Sequence, residues 1–157
     1  METVNSGNNR QALVVDMRTL AQSYAGHAKE FFDAAERLSL STPYLFHPTF
    51  YCAIHSIELA IKAHLANIGV TKKELTSRDL GHNLTSLLRE AGKRGIMKML
   101  NLNSREIKSI SFGSTDYAGK CFEYPEGMYS TLPVGIWLKI ADKIISGIPQ
   151  SKKPDTE

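Results

Sequence analysis

Four residues whose side chains can bind, pair or move protons follow one another at steps of four, three and four: Tyr51, His55, Glu58 and Lys62. On a helix that spacing places them along one strip. His55 stands one turn before Glu58, so the carboxylate can fix the imidazole tautomer and favour its charged form. Such a pair can act as general acid and base in RNA cleavage, but a hydrogen-bonded packing residue is the expected role of His55. Glu58 lies four residues before Lys62, the favoured order for a helical ion pair. On a mostly apolar helix two such charges are retained when each satisfies the other, and a structural pair is the expected role. In an open groove Lys62 would instead attract a phosphate, and Glu58 would orient it or act as a base. His82 and Asn83 stand at the start of another helical stretch, where a side chain caps the first turn and where anions gather; capping is the expected role. Cys52, three residues before His55, falls on the apolar side of its helix and is expected to be buried and inert. His27, His47 and His64 share no ligand spacing with carboxylates, and no His-Glu-x-x-His occurs. GxxxxGK[ST], GxGxxG and GxSxG are absent too, so P-loop, dinucleotide-fold and α/β-hydrolase chemistry has no support. No metal and no cofactor is expected.

Charge is unevenly spread. The formal net charge is +3, yet from Gly69 to Ser109 nine Lys or Arg face four acids, while each flank carries five basic against six acidic residues. Arg89, Lys93 and Arg94 form the densest part of this basic segment. Such a segment can serve a phosphate-bearing partner, but a solvated face that keeps the protein soluble is the expected role.

The elements that must position these residues read as helices. Leu13, Met17, Leu20, Tyr24, Ala28, Phe31, Ala35 and Leu38 recur at three and four, predicting a helix over 11–38 in which Gly26 marks close packing. LSLSTPYLFHP follows as a connector, with the next helix starting at Pro48 after His47. Phe50, Ile54, Ile57, Ile61, Leu65 and Ile68 give that helix its stripe, and Gly69 ends it. Its opposite side, Cys52, Leu59, Ala63 and Ala66, is also small or apolar, so it is expected to be the central helix, packed on more than one side. A loop with at most one turn leads to a short helix from Leu84 to Ala91, closed near Gly92 or Gly95. Asn103 with Glu106 makes a capping box for a further helix that Gly113 is expected to interrupt. Val134 to Ile145 forms the last, with Trp137, Ile140, Ala141, Ile144 and Ile148 on one side. No alternating strand pattern appears, so the fold class is all-α, an antiparallel bundle of four to five helices. With 157 residues, 42% hydrophobic and 22% charged, the chain is one globular domain over 1–157, with residues 1–10 and 150–157 as frayed tails. No stretch is apolar enough to span a bilayer, METVNSGNNR lacks a signal-peptide core, and two cysteines make no disulfide framework, so a cytoplasmic location is expected.

HSIELAIKAHLANIG (His55 to Gly69), GHNLTSLLREAGKRG (Gly81 to Gly95) and the later EYP (Glu123 to Pro125) together resemble the HEPN superfamily of small helical bundles, over about half of the chain. The resemblance implies an antiparallel bundle that dimerises, is linked to RNA or nucleotides, and works with partner proteins in defence, toxin–antitoxin or nucleotidyltransferase-associated systems. Ribonuclease members carry an Arg-polar-x4-His motif. Here no Arg has a His five or six residues on; Arg78 to His82 is one residue short, and Glu123 stands where relatives often place the Arg of Arg-Tyr-Pro. The expected function is therefore a non-catalytic binding or dimerisation module, a homodimer whose ligand residues are Tyr51, His55, Glu58, Lys62, His82 and Asn83. The alternative is a divergent metal-independent ribonuclease, with His55 and Glu58 catalytic in a dimer groove.

Overall fold

The computed structural model describes residues 6–120 and 132–149, with side chains from Asp16 onward. Among these residues there are six helices and no strand: α1 (Ser6–Ser39), α2 (Phe46–Asn67), α3 (Lys72–Leu75), α4 (Leu84–Lys93), α5 (Ser104–Ala118) and α6 (Val134–Ser146). The helix beyond the expected four to five is the single turn α3, closed by a capping box in which Thr71 accepts from the Glu74 amide and Glu74 accepts from the Thr71 amide. Glu123-Tyr124-Pro125 lies outside the described residues, as does the tail from 150 on. α1 begins at Ser6, inside the stretch expected to fray.

α1 and α2 form an antiparallel hairpin. A β-carbon on Gly69, just past the end of α2, would stand 3.4 Å from the Met17 sulfur, while Phe31, near the end of α1, meets Tyr51 and His55 early in α2. Among the described side chains of α1, Ala21, Ala28, Phe32 and Ala35 are buried, with Leu20, Tyr24 and Phe31 half-buried beside them, so the contact face is broader than the expected stripe. Gly26 is a correction: a β-carbon there would meet nothing within 4 Å, so it marks no close packing.

α2 is the central helix. Phe50, Ile54, Ile57, Ile61 and Leu65 are buried on one side and Leu59, Ala63 and Ala66 on the other, which is what apolar residues all round a helix require. Its start differs from the expected one. The helix opens at Phe46 after Leu45, with no side-chain cap, so His47 is inside it and Pro48 occupies its first turn, where a missing N–H costs nothing. Ile68, expected in the stripe, is instead the partly exposed C-cap, and Gly69 follows at φ +98°, a backbone region glycine enters without a steric penalty.

α6 packs against both α1 and α2 through Trp137, Ile140, Ala141 and Ile144, and α4 joins α2 to α5. Asn103 and Glu106 close the capping box of α5 as expected. Gly113 does not interrupt α5. It leaves room for Trp137, whose ring would lie 2.4 Å from a β-carbon at that position. Lys143 of α6 reaches Glu106 of α5 at 2.7 Å, and His64 of α2 donates from Nε2 to the Ile144 carbonyl of α6 at 2.9 Å. Among the described residues no helix is long and apolar enough to cross a membrane.

Candidate functional site

The strip Tyr51, His55, Glu58, Lys62 does not face solvent as a whole. Glu58 is 1% exposed and Lys62 4%, because α2 is enclosed on that side by α1, α5 and the loop before α4. Lys62 Nζ donates to Glu58 Oε1 at 2.6 Å and to the Gly81 carbonyl at 2.5 Å. The other carboxylate oxygen, Oε2, collects three side chains. The Tyr117 hydroxyl of α5 donates to it, His82 Nδ1 stands 3.1 Å away, and His55 Nδ1 3.4 Å away. Buried carboxylates are tolerated when hydrogen bonds and opposite charge replace the lost water, and here Lys62 takes one oxygen while Tyr117 and His82 share the other. Burial alone would raise the pKa of Glu58. The His55 contact, the charge and hydrogen bond of Lys62 and the Tyr117 hydrogen bond outweigh it and hold the carboxyl down at about 2.

The hydrogen-bond pattern also assigns protons. The single Tyr117 hydroxyl proton goes to Glu58, and His55 Nδ1 lies 2.5 Å from the same hydroxyl oxygen. His55 must therefore donate from Nδ1, which sets its tautomer. Tyr51 stacks on the His55 ring at 5.3 Å and 15°, and Phe31 of α1 meets it edge-on at 4.6 Å, so the imidazole is held on two sides by aromatic rings. Tyr24 of α1 lies close enough that burial first, and the Glu58 charge second, push its hydroxyl up.

His82 and Asn83 part company. Asn83 is the N-cap of α4, accepting from the Ser86 amide at 2.9 Å, and takes no part in the node. His82 is not a cap. Its side chain is 64% exposed on one face while Nδ1 reaches inward to Glu58. Cys52 is half-buried rather than enclosed, and burial pushes its thiol up, away from the reactive thiolate. Among the described residues no three His, Cys, Asp or Glu side chains are grouped to hold a metal ion.

The basic segment divides as well. A groove of about 860 Å³ runs between α3, the loop after it and α4, and is lined by Lys73, Arg78, Arg89 and Lys93. Arg94 is not one of its free cations: Nε pairs with Glu90 at 2.8 Å and Nη2 with Glu74 at 3.5 Å, a strut from α4 to α3.

Two parts of the node are not on the α2 strip, Tyr117 and the Gly81 carbonyl. Tyr117 was signalled indirectly, since it continues the buried face of α5 from Ile110 and Gly113, and a buried tyrosine hydroxyl usually finds a partner. Nothing local in the sequence marks the Gly81 carbonyl.

The fold and site define an all-helical protein with a buried, multiply hydrogen-bonded carboxylate at its centre. Compared with protein-family models, curated proteins and solved structures, the chain matches none of them.

Proposed function

We propose that the chain is a non-catalytic helical binding and dimerisation module, HEPN-like in arrangement, that engages RNA, a nucleotide or a partner protein in the cytoplasm, in a defence or toxin–antitoxin type of system. The observation that carries the reading is the state of Glu58. A carboxylate buried to 1% exposure and held at about 2 is a weak base, and its oxygens already accept from Lys62, Tyr117 and His82. It acts as the tie between α2, α5 and the loop before α4. Exposed Leu40, Tyr44, Leu45 and Phe112 supply apolar surface for self-association. The test of the non-catalytic reading is incubation of a labelled RNA with the pure protein in chelator: the RNA is expected to stay intact, and cleavage that His55→Ala removes would overturn the reading.

The second reading is a metal-independent ribonuclease, and one observation favours it. Two imidazoles, His55 and His82, converge on one carboxylate oxygen while His82 keeps most of its side chain in solvent. Under this reading His55 and Glu58 are catalytic, Lys62 holds phosphate and Arg89, Lys93 and Arg94 steer RNA. His82→Ala would then abolish cleavage while the protein stays folded, as read by circular dichroism.

A further inference from the structure

We infer that the groove between α3, the loop following it and α4 is a phosphate-binding site, held in shape by the buried Glu58–Lys62 pair. The inference rests on the binding-module reading and deepens it by naming the surface and the ligand chemistry. Seven charged side chains line the groove, and their pairing decides its sign. Arg94 takes both Glu90 and Glu74, and Glu74 is further held by the Thr71 amide and hydroxyl. Two of the three acids are thereby engaged from within the protein, and the one positive charge of Arg94 offsets one of their two negative charges. Against the remaining Asp79 stand Lys73, Arg78 and Arg89, all exposed, none of which enters an ion pair among the described residues, and Lys93, whose one carboxylate neighbour, Glu90, is 3.9 Å away. An arginine fork matches two oxygens of a phosphate at once, and several cations around one concave surface favour a ligand of dense negative charge.

The loop that carries Arg78 is not left to itself. Lys62 donates to the Gly81 carbonyl and Glu58 meets His82, so two consecutive loop residues are tied to the buried pair. Glu58 and Lys62 are therefore positioning residues for this groove, without touching the ligand. No aromatic ring lines the groove, so bases have no stacking platform there, and recognition goes through phosphate alone. The phosphate can belong to a free phosphate compound or to an RNA backbone.

Two probes separate these sources: inorganic pyrophosphate by calorimetry, and a labelled oligouridine of about a dozen nucleotides by anisotropy at two salt concentrations. Wild type is expected to bind at least one of them. Arg78→Ala combined with Arg89→Ala should weaken that binding by about tenfold or more and, for the oligouridine, flatten the plot of log K against log salt by about 0.7 per cation removed. Lys29→Ala, in the separate groove between α1 and α6, should bind like wild type. Pyrophosphate binding assigns the site to a free phosphate compound, and oligouridine binding alone assigns it to an RNA backbone. Equal binding by the groove variant and wild type overturns the inference, as does wild type that binds neither probe or that prefers polyglutamate to both. Cleavage of the oligouridine, read on a gel from the same samples, would instead sink the non-catalytic reading and leave the groove standing.

Discussion

Glu58 and Lys62 are buried to a few per cent exposure and share their charges with each other, two imidazoles, a tyrosine and a backbone carbonyl. A single loop away, Lys73, Arg78 and Arg89 stand in water. The two regions carry the same types of residue and differ in what surrounds them. In the node, each charge has lost its hydration and is sustained only by its partners, so removing one partner exposes the full desolvation cost of the other. In the groove, water screens each cation, so its removal hardly touches stability and acts on whatever anion is bound. A charged residue's contribution to folding is thus set by its enclosure, and its availability to a ligand runs the other way.

The sharpest way to break the comparison is a charge placed one residue from the node without its partners. Ile57 is fully buried beside Glu58 in sequence but faces the apolar stripe. Ile57→Asp is expected to abolish folding, since an unpaired buried charge costs several kcal/mol against a total stability of about 5–15 kcal/mol. Circular dichroism melting checks it, and an unchanged melting curve would contradict the enclosure of α2.

Next in size is acid sensitivity. The folded-state pKa of Glu58 is depressed from 4.5 to about 2, so its stabilisation is fully present above 4.5 and is lost as pH falls from there through about 2. The loss attributable to this group is about 3 kcal/mol. Urea titrations across that window should show it in wild type and not in the double variant Glu58→Gln with Lys62→Met.

A smaller effect belongs to His64, buried between α2 and α6 with Nδ1 lacking a hydrogen-bond partner. Burial holds its imidazole below the usual 6.5, with the Ile144 carbonyl opposing, so the unfolded chain binds the proton first. Stability should decline as pH drops below 6.5, ahead of the carboxylate window, and His64→Gln should remove that early decline.

The groove should give the smallest effect on folding. Arg78→Ala and Arg89→Ala are each expected to shift stability by less than about 0.5 kcal/mol, read from the urea midpoint.

Most of this contrast was legible in the sequence where it depended on local spacing. The steps between Tyr51, His55, Glu58 and Lys62 defined the strip, and apolar residues on both sides of it already implied that α2 is enclosed. Asn103 with Glu106 announced the start of α5 because a capping box is written within four residues. What could not be read depended on distant partners. Tyr117 and the Gly81 carbonyl reach the node only through the packing of α5 and the α3–α4 loop, and Arg94 looked like part of a cationic patch until Glu74, twenty residues earlier, was brought to it. Gly113 suggested a break because glycine weakens helices locally, whereas its role is set by the Trp137 ring arriving from α6.

The central claim is that Glu58 and Lys62 form a coupled buried pair that supports the fold and the groove rather than a ligand-binding floor. A double-mutant cycle measured by urea unfolding tests it most directly: wild type, Glu58→Gln, Lys62→Met and the combination, each with an oligouridine binding titration. Lys62→Met alone should lose about 3 kcal/mol or more because Glu58 is left charged and unpaired, and the double variant should recover much of that loss. A Lys62→Met protein as stable as wild type that has lost oligouridine affinity would contradict the account.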